Sequence, residues 1–411
     1  MFSKATIKER RQYYREEWDP SDLPEFIAKD IKKREFGFDH NGRGPNDRYK
    51  VFRGTESLRK FLRYKAPFAA YISVAFYNNP RRREDWLKAE YIFDVDAKDI
   101  PIRSCQCDGV CETCLGEALE IVNSLIDTLE GDLGLKNIHL IYSGRGYHIR
   151  ILDDEMMLAN SELRSEVLKY VAGAEVPKSQ FINSEISNKS FNFEHFSIPI
   201  GYSKIFTDKV KFNVQHLVGN EKLDGINPKL MKDIMASRHH LEEDNWGLFK
   251  RDIGPRRYKN FVEAMARVNL ATIDAKVSID LKRILRLPSS LHSKVSMKCM
   301  EVKNRETFDP FDKQFLNLFM KEKVYNMDKV LREILRKNEY FEEINENRFV
   351  PEYLGLIVNG IVVYHVNWID IVDKELIFMH KDIQTHPIVS VVLENLNSMM
   401  IITSDGIKEI L

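Results

Sequence analysis

The chain has 411 residues, enough for about two or three domains. Lysine plus arginine and aspartate plus glutamate both total 62, so no global field attracts a polyanion and any nucleic-acid binding must use local patches. No run of about 18 apolar residues offers a membrane span, and Met1–Asp19 lacks a signal-peptide core, so a cytoplasmic protein without membrane contact is expected.

Residues 4–17 read as a basic, tyrosine-bearing helix, followed by a second helix near 21–33 and strands around 34–38 and 48–53. Residues 68–77 form an apolar run expected to be a buried strand, closed by Asn78-Asn79-Pro80. Arg81, Arg82 and Arg83 follow in a loop, where a solvated face is the ordinary reading and a phosphate contact the other.

The strand at 90–96 ends in Asp94 and Asp96. Strand side chains alternate faces, so both carboxylates point the same way. Two adjacent carboxylates repel, and one is expected to hold a proton unless a divalent cation resolves the conflict. Hard oxygen ligands on a rigid strand suit Mg²⁺ or Mn²⁺, which also engage substrate phosphates. That chemistry points to two-metal phosphoryl or nucleotidyl transfer.

Cys105, Cys107, Cys111 and Cys114 come next, four thiols in one short loop while Cys299 stands alone. The cluster matches a closed structural Zn²⁺ site better than a disulfide framework. The Cys105-x-Cys107 pair is tight for two ligands on one ion, so a water or an unrelated ligand in place of either is the alternative.

Ala118, Leu119, Val122, Leu125, Ile126 and Leu129 recur at helical spacing up to Gly131. A strand at Ile138–Tyr142, a turn at Ser143-Gly144-Arg145-Gly146 and a strand from Tyr147 follow. Glycines let main-chain amides approach a ligand, and Arg145 offers a planar fork for phosphate oxygens. His148 shares a strand face with Arg150. Ser143, Arg145 and His148 together suit a triphosphate, although an ordinary glycine-rich hairpin has the same pattern.

Residues 153–260 read as mainly helical and polar. Asp274 ends a strand-like stretch, Ser278 is a candidate N-cap, and Ile279–Leu287 is expected to be a short helix ended by Pro288. Asp280 would then complement the helix dipole, which leaves Asp274 as the third metal carboxylate. Arg286, His292 and Lys294 place three cationic or proton-donating groups within reach of nucleotide phosphates. From about residue 311 a helix-rich stretch is expected, then strands at 353–366, 375–379 and 387–392.

Taken together, these motifs resemble the small, catalytic subunit of archaeal and eukaryotic DNA primase. The resemblance runs through Arg34-Glu35-Phe36-Gly37-Phe38, Arg48-Tyr49-x-x-Phe52, Tyr77-x-Asn79-Pro80, Phe93-Asp94-Val95-Asp96, the cysteine loop, Ser143-Gly144-Arg145-Gly146-x-His148 and Arg286-Leu287-Pro288-x-Ser290-Leu291-His292. It implies an α+β fold with a mixed central sheet, flanking helices, the zinc-binding loop and a smaller, mainly helical insertion within 153–260. Residues 1–310 would be the catalytic domain and 311–411 a C-terminal α/β extension.

The implied enzyme is a nucleotidyltransferase that starts short RNA, or DNA, primers on single-stranded DNA from NTPs or dNTPs. Asp94, Asp96 and Asp274 match the catalytic metal ligands; Ser143, Arg145, His148, Arg286, His292 and Lys294 match nucleotide-binding positions. The implied partners are a large primase subunit carrying an iron–sulfur cluster, the template and the replication machinery. A primer-extending repair polymerase or terminal transferase of the same superfamily is the alternative.

Overall fold

The structure is a computed structural model. It describes residues 4–310 except 106, 108–109, 178–179, 183–190 and 194–199, with residues 315 and 317 and eight strands between 341 and 409. Helix α1 (Ile7–Gln12), capped reciprocally by Thr6 and Glu9, continues into a π-helical turn at Tyr13–Glu17. Its tyrosines, Tyr13 and Tyr14, are buried with Trp18. Residues 21–33 do not form one helix. They break into a 3-10 turn at Pro20–Asp22, helix α2 (Glu25–Ala28) and a second 3-10 turn at Ile31–Lys33, because Pro24 has no N–H to carry a helix through.

Strands β1 (Phe36–Asp39) and β2 (Asp47–Lys50) lead to helix α3 (Thr55–Lys65), an element the sequence reading passed over. The apolar run at 68–77 splits into β3 (Ala69–Ser73) and β4 (Ala75–Asn79), which belong to different sheets. At the break the Val74 amide donates to the Arg283 carbonyl and the Val74 carbonyl accepts from the Glu90 amide, both at 3.0 Å. A hairpin turn over 80–83 leads into β5 (Glu84–Ala89), and β6 (Tyr91–Asp96) is the acidic strand.

Helix α4 (Glu112–Gly131) buries Ala118, Val122, Leu125, Ile126 and Leu129 on one face, each large side chain contributing about 1.5–3 kcal/mol. Strands β7 (Ile138–Tyr142) and β8 (Gly146–Ile151) follow. Next come helices α5 (Asp154–Leu158) and α6 (Ser161–Ala172) and short strands β9 (Gln180–Ile182) and β10 (Phe191–Phe193). Five helices follow: α7 (Gly201–Gln215), α8 (Pro228–Ser237), α9 (His239–Glu242), α10 (Trp246–Ile253) and α11 (Pro255–Ala271). These five pack around their own apolar cluster, including Phe206, Ile234, Phe249 and Phe261.

Helix α12 spans Ala275–Ile279 and is capped by Asp274, and β11 spans Ile284–Arg286. This corrects the helix expected over Ile279–Leu287. Ser278 lies inside the helix and is buried, Asp280 ends it, and 284–286 pairs with β3 because tertiary pairing overrides local periodicity.

With β12 (Met300–Val302), the fold is α+β, built on two four-stranded sheets ordered β11-β3-β1-β2 and β12-β7-β8-β6, with β4-β5 as a separate hairpin. The described pairings in them are antiparallel. Phe36, Phe38, Ile72, Phe93, Val95, Ile149 and the buried face of α4 share one core.

In the tail, β13 (Phe341–Asn345), β14 (Arg348–Pro351), β17 (Trp368–Val372) and β18 (Glu375–Met379) form one antiparallel sheet. Strands β15 (Tyr353–Val358), β16 (Ile361–Tyr364), β19 (Met399–Thr403) and β20 (Gly406–Glu409) form another. The expected strand at 353–366 is thus two strands, the one at 375–379 is present, and the one at 387–392 lies outside the described residues, as does nearly all of the expected helical stretch after 311.

Candidate active site

Strand alternation puts Asp94 and Asp96 on one face of β6, and the register with β8 sets Asp94 opposite His148 and Asp96 opposite Gly146. A side chain at Gly146 would overlap the Val95 carbonyl oxygen and sit 2.8 Å from the Asp96 Cα, so the strands can close here only around glycine. His148 Nε2 lies 3.4 Å from Asp94 Oδ1. Arg145 Nε donates to Asp96 Oδ2 at 3.0 Å, and its Nη2 reaches the same oxygen.

Asp274 arrives from the far end of the chain. Its amide donates to the Asp94 carbonyl at 3.0 Å, its Oδ1 accepts from the Lys276 amide at 3.0 Å, and its Oδ2 lies 3.6 Å from Arg283 Nη2. The N-cap role expected of Ser278 therefore belongs to Asp274, whose amide is tied to the acidic strand. Burial above all, then the charges of Asp96 and Asp274, push the Asp94 carboxyl up to about 7. Only 22% of that side chain is exposed.

Arg286, at the end of β11, holds its guanidinium 5.2 Å from the Tyr71 ring centre. The loop after it is clamped by the N-terminal segment. Tyr13 Oη donates to the Ser289 carbonyl at 2.6 Å, Trp18 Nε1 donates to Ser289 Oγ at 2.8 Å, and the Leu291 amide donates to Tyr14 Oη at 3.3 Å. His292 then packs against the 143–146 turn: a Cβ on Gly144, whose φ is +98°, would fall 2.7 Å from the His292 Cβ.

His292 Nδ1 accepts from the Lys294 amide at 3.1 Å, which leaves Nε2 to donate. Burial first, then Arg286, Arg145 and Lys294, hold His292 well below the usual imidazole range. Burial with Arg150 and Arg286 does the same to His148. Both rings are therefore neutral hydrogen-bonding groups, while Arg145, Arg286 and Lys294 carry the positive charge. The Ser143 hydroxyl donates to the Gly146 carbonyl at 3.1 Å, closing the turn.

The sequence reading missed the support beneath this site. Arg34 and Arg150 both pair with Glu90, and all three side chains are fully buried. Arg34 lies 3.8 Å from the Phe76 ring centre, and Arg150 Nη2 donates to the Arg286 carbonyl at 2.9 Å, tying β8 to β11. Arg164, also buried, donates to the carbonyls of Ala89 and Glu90 at 2.7 Å. The available signal was a glutamate and an arginine embedded in apolar strands, where a charge demands a buried partner.

Ligand atoms of Cys105, Cys107, Cys111 and Cys114 all lie within 4.8 Å of one another. The tight pair converges too, with Cys105 Sγ 3.6 Å from Cys107 Sγ. Cys111 caps the start of α4 and Cys114 lies one turn in. A hydrogen bond from Cys114 draws the Cys111 thiol down to about 4, and burial pushes Cys105 up to about 11. Cys299 lies apart from this cluster and is buried.

Residues 93–303 match the sequence profile of the DNA primase small subunit. This chain belongs to the DNA primase small-subunit family. The DNA primase small subunit of Methanobrevibacter smithii is 87% identical over 310 residues, covering 75% of this chain and 96% of that protein. Its counterpart from Methanothermobacter thermautotrophicus is 56% identical over 310 residues, covering 75% and 95%. The Thermococcus kodakarensis protein is 38% identical over 340 residues, covering 79% and 95%. The family read from the motifs is thus the family found. These relatives are matched almost end to end, and at least a fifth of this chain lies outside each alignment. Among the described residues, no helix is long and apolar enough to cross a membrane.

Proposed function

We propose that this chain is the catalytic subunit of a DNA primase, a nucleotidyltransferase that builds short RNA, or DNA, primers on single-stranded DNA. One observation carries the reading: Asp274, from the far end of the chain, is hydrogen-bonded to the strand that bears Asp94 and Asp96, and burial together with the charges of Asp96 and Asp274 pushes the Asp94 carboxyl up to about 7. A set of oxygen donors in that state fits Mg²⁺ or Mn²⁺. Bound there, such ions supply Lewis acidity to the attacking 3′-hydroxyl and the leaving pyrophosphate.

The chain's own groups do the rest. Arg145 sits on Asp96 and is the nearest fork for a triphosphate once that carboxylate is engaged. Arg286 and Lys294 add positive charge where negative charge builds up, and the neutral His148 and His292 bind phosphate oxygens as hydrogen-bond donors. Ser143 holds the turn that presents them. The four cysteines fit a structural Zn²⁺ that braces the loop beside the acidic strand. A large primase subunit and a single-stranded template are the partners this reading requires, in the setting of the replication machinery.

The test is synthesis from labelled nucleotides on single-stranded DNA with no primer, comparing the natural chain with Asp94→Ala/Asp96→Ala, with Mg²⁺ or Mn²⁺ and with NTPs or dNTPs separately. Short polymer from the natural chain alone is expected. Product only on a supplied primer, even with the large subunit present, would overturn the initiating role, and equal product from both proteins would overturn the acidic site.

A further inference from the structure

Seven non-glycine residues have positive φ in the described chain, and three of them meet at one place on the surface: Tyr49 at 63°, Arg83 at 54° and Asp85 at 54°. Left-handed backbone is costly for a tyrosine or an arginine, and such strain persists where the surroundings enforce it. Here Glu35 enforces it. Fully buried, it pairs with Arg48 and with Arg83, both at 2.9 Å, and accepts from the Tyr49 amide at 3.4 Å.

The result is a fixed, outward-facing aromatic ring. Tyr49 is half exposed, its hydroxyl accepts from Arg83 Nη2 at 3.1 Å, and the Arg83 guanidinium lies 4.8 Å from its ring centre. Trp86 stands on the same hairpin and is also exposed. At the hairpin tip Arg81 and Arg82 are exposed and enter none of the ion pairs among the described residues.

This surface leads to the acidic site. Gly37 of β1, two residues after Glu35, pairs with Tyr71 of β3, which pairs in turn with Arg286 of β11. From β2 to β11 is three strand spacings, about 14 Å. On the inner side, Tyr77 of the hairpin packs in one apolar cluster with Val277 of α12, the helix that Asp274 caps.

We propose that the β4–β5 hairpin and Tyr49 form a contact surface for single-stranded DNA, with Tyr49 and Trp86 as stacking platforms and Arg81 and Arg82 on the phosphate backbone. Fixed aromatics and arginines outside the described ion pairs suit a template of any sequence, since stacking and phosphate contacts carry no base identity. The proposal rests on the primase reading, because it supplies that reaction's template.

The test uses the full chain and a fluorescently labelled oligothymidylate, with anisotropy measured across a salt series. Arg81→Gln/Arg82→Gln should lower the slope of log K against log salt by about 1.4, roughly 0.7 for each lost phosphate contact. Trp86→Ala should weaken binding by about tenfold or more. Oligothymidylate should quench tryptophan fluorescence in the natural chain and less so in Trp86→Phe. Tyr49→Asn accepts left-handed backbone, so it should weaken binding while keeping or raising the melting temperature, which a merely structural tyrosine would not do.

Unchanged slopes and affinities, or no single-strand binding by the natural chain, would overturn the proposal. So would binding and melting temperature falling together in Tyr49→Asn. Primer synthesis by the natural chain is scored in parallel. If synthesis is present while all binding arms match the natural chain, only this surface fails. If synthesis is absent even with the large subunit present, the primase reading fails and the binding arms still decide the surface.

Discussion

Replacing Asp94 with asparagine should stabilise the protein when no divalent ion fills the acidic site. An ordinary aspartate titrates at 3.8, and Asp94 is raised to about 7. At about 1.36 kcal/mol per pH unit the full effect is roughly 4 kcal/mol, and partial solvent screening brings the expectation to about 2–4 kcal/mol. The sign follows from proton uptake. Below about pH 4 the carboxyl is protonated in both folded and unfolded chains. Between there and about pH 7 only the folded chain holds the proton, so stability falls as pH rises. Above that the whole cost is in place.

Asparagine has no such dependence. Thermal unfolding in buffer without Mg²⁺ or Mn²⁺ should show the two proteins matching near pH 4 and Asp94→Asn melting higher by about 2–5 °C near pH 8. Adding Mn²⁺ should raise the natural chain and narrow or invert the gap. Parallel pH profiles, or Asp94→Asn melting lower throughout, would refute the idea that burial and the neighbouring carboxylates hold a proton on Asp94.

Three further outcomes are expected. Gly146→Ala should cost about 3 kcal/mol or more, seen in denaturant melts, and abolish synthesis, because its methyl group meets the backbone of Val95 and Asp96. Glu90→Gln should cost about 3–5 kcal/mol by leaving Arg34 and Arg150 buried without their carboxylate; equal stability to the natural chain would remove the supporting role assigned to that trio. Purified protein should carry zinc detectable by atomic absorption, and Cys114→Ser should lose it and melt lower, while Cys299→Ser should keep it.

Chemistry that depends on spacing within one strand was legible in the sequence. Asp94 and Asp96 had to share a face once 90–96 was a strand, and the glycines around Arg145 had to make a tight turn. Chemistry that depends on which strand lies beside which was not. Residues 284–286 carry no strand signal of their own and become β11 only because β3 is there to pair with. The run at 68–77 gives no hint that Val74 passes from one sheet to a hairpin, since both pieces are equally apolar. Glu90 and Arg150 sit in apolar strands, but only the folded arrangement shows them paired with each other and beside Arg34. The helix that Asp274 caps was expected a turn later than it lies, because the local periodicity of 279–287 does not show that 284–286 pairs with β3.

The clamp of Tyr13, Tyr14 and Trp18 on Ser289 and Leu291 also bears on how the protein is made. On the ribosome, Tyr13, Tyr14 and Trp18 lack these hydrogen-bond partners until the loop near residue 290 emerges. The acidic strand likewise waits for Asp274, and β7 waits for β12 to cover its edge. Contacts of such long sequence separation close slowly and late. A nascent or truncated chain ending before about residue 285 would thus expose an unclosed sheet edge and leave Tyr13, Tyr14 and Trp18 without the loop they bond to. Such a chain should need chaperone shelter until the last strand of the sheet is added.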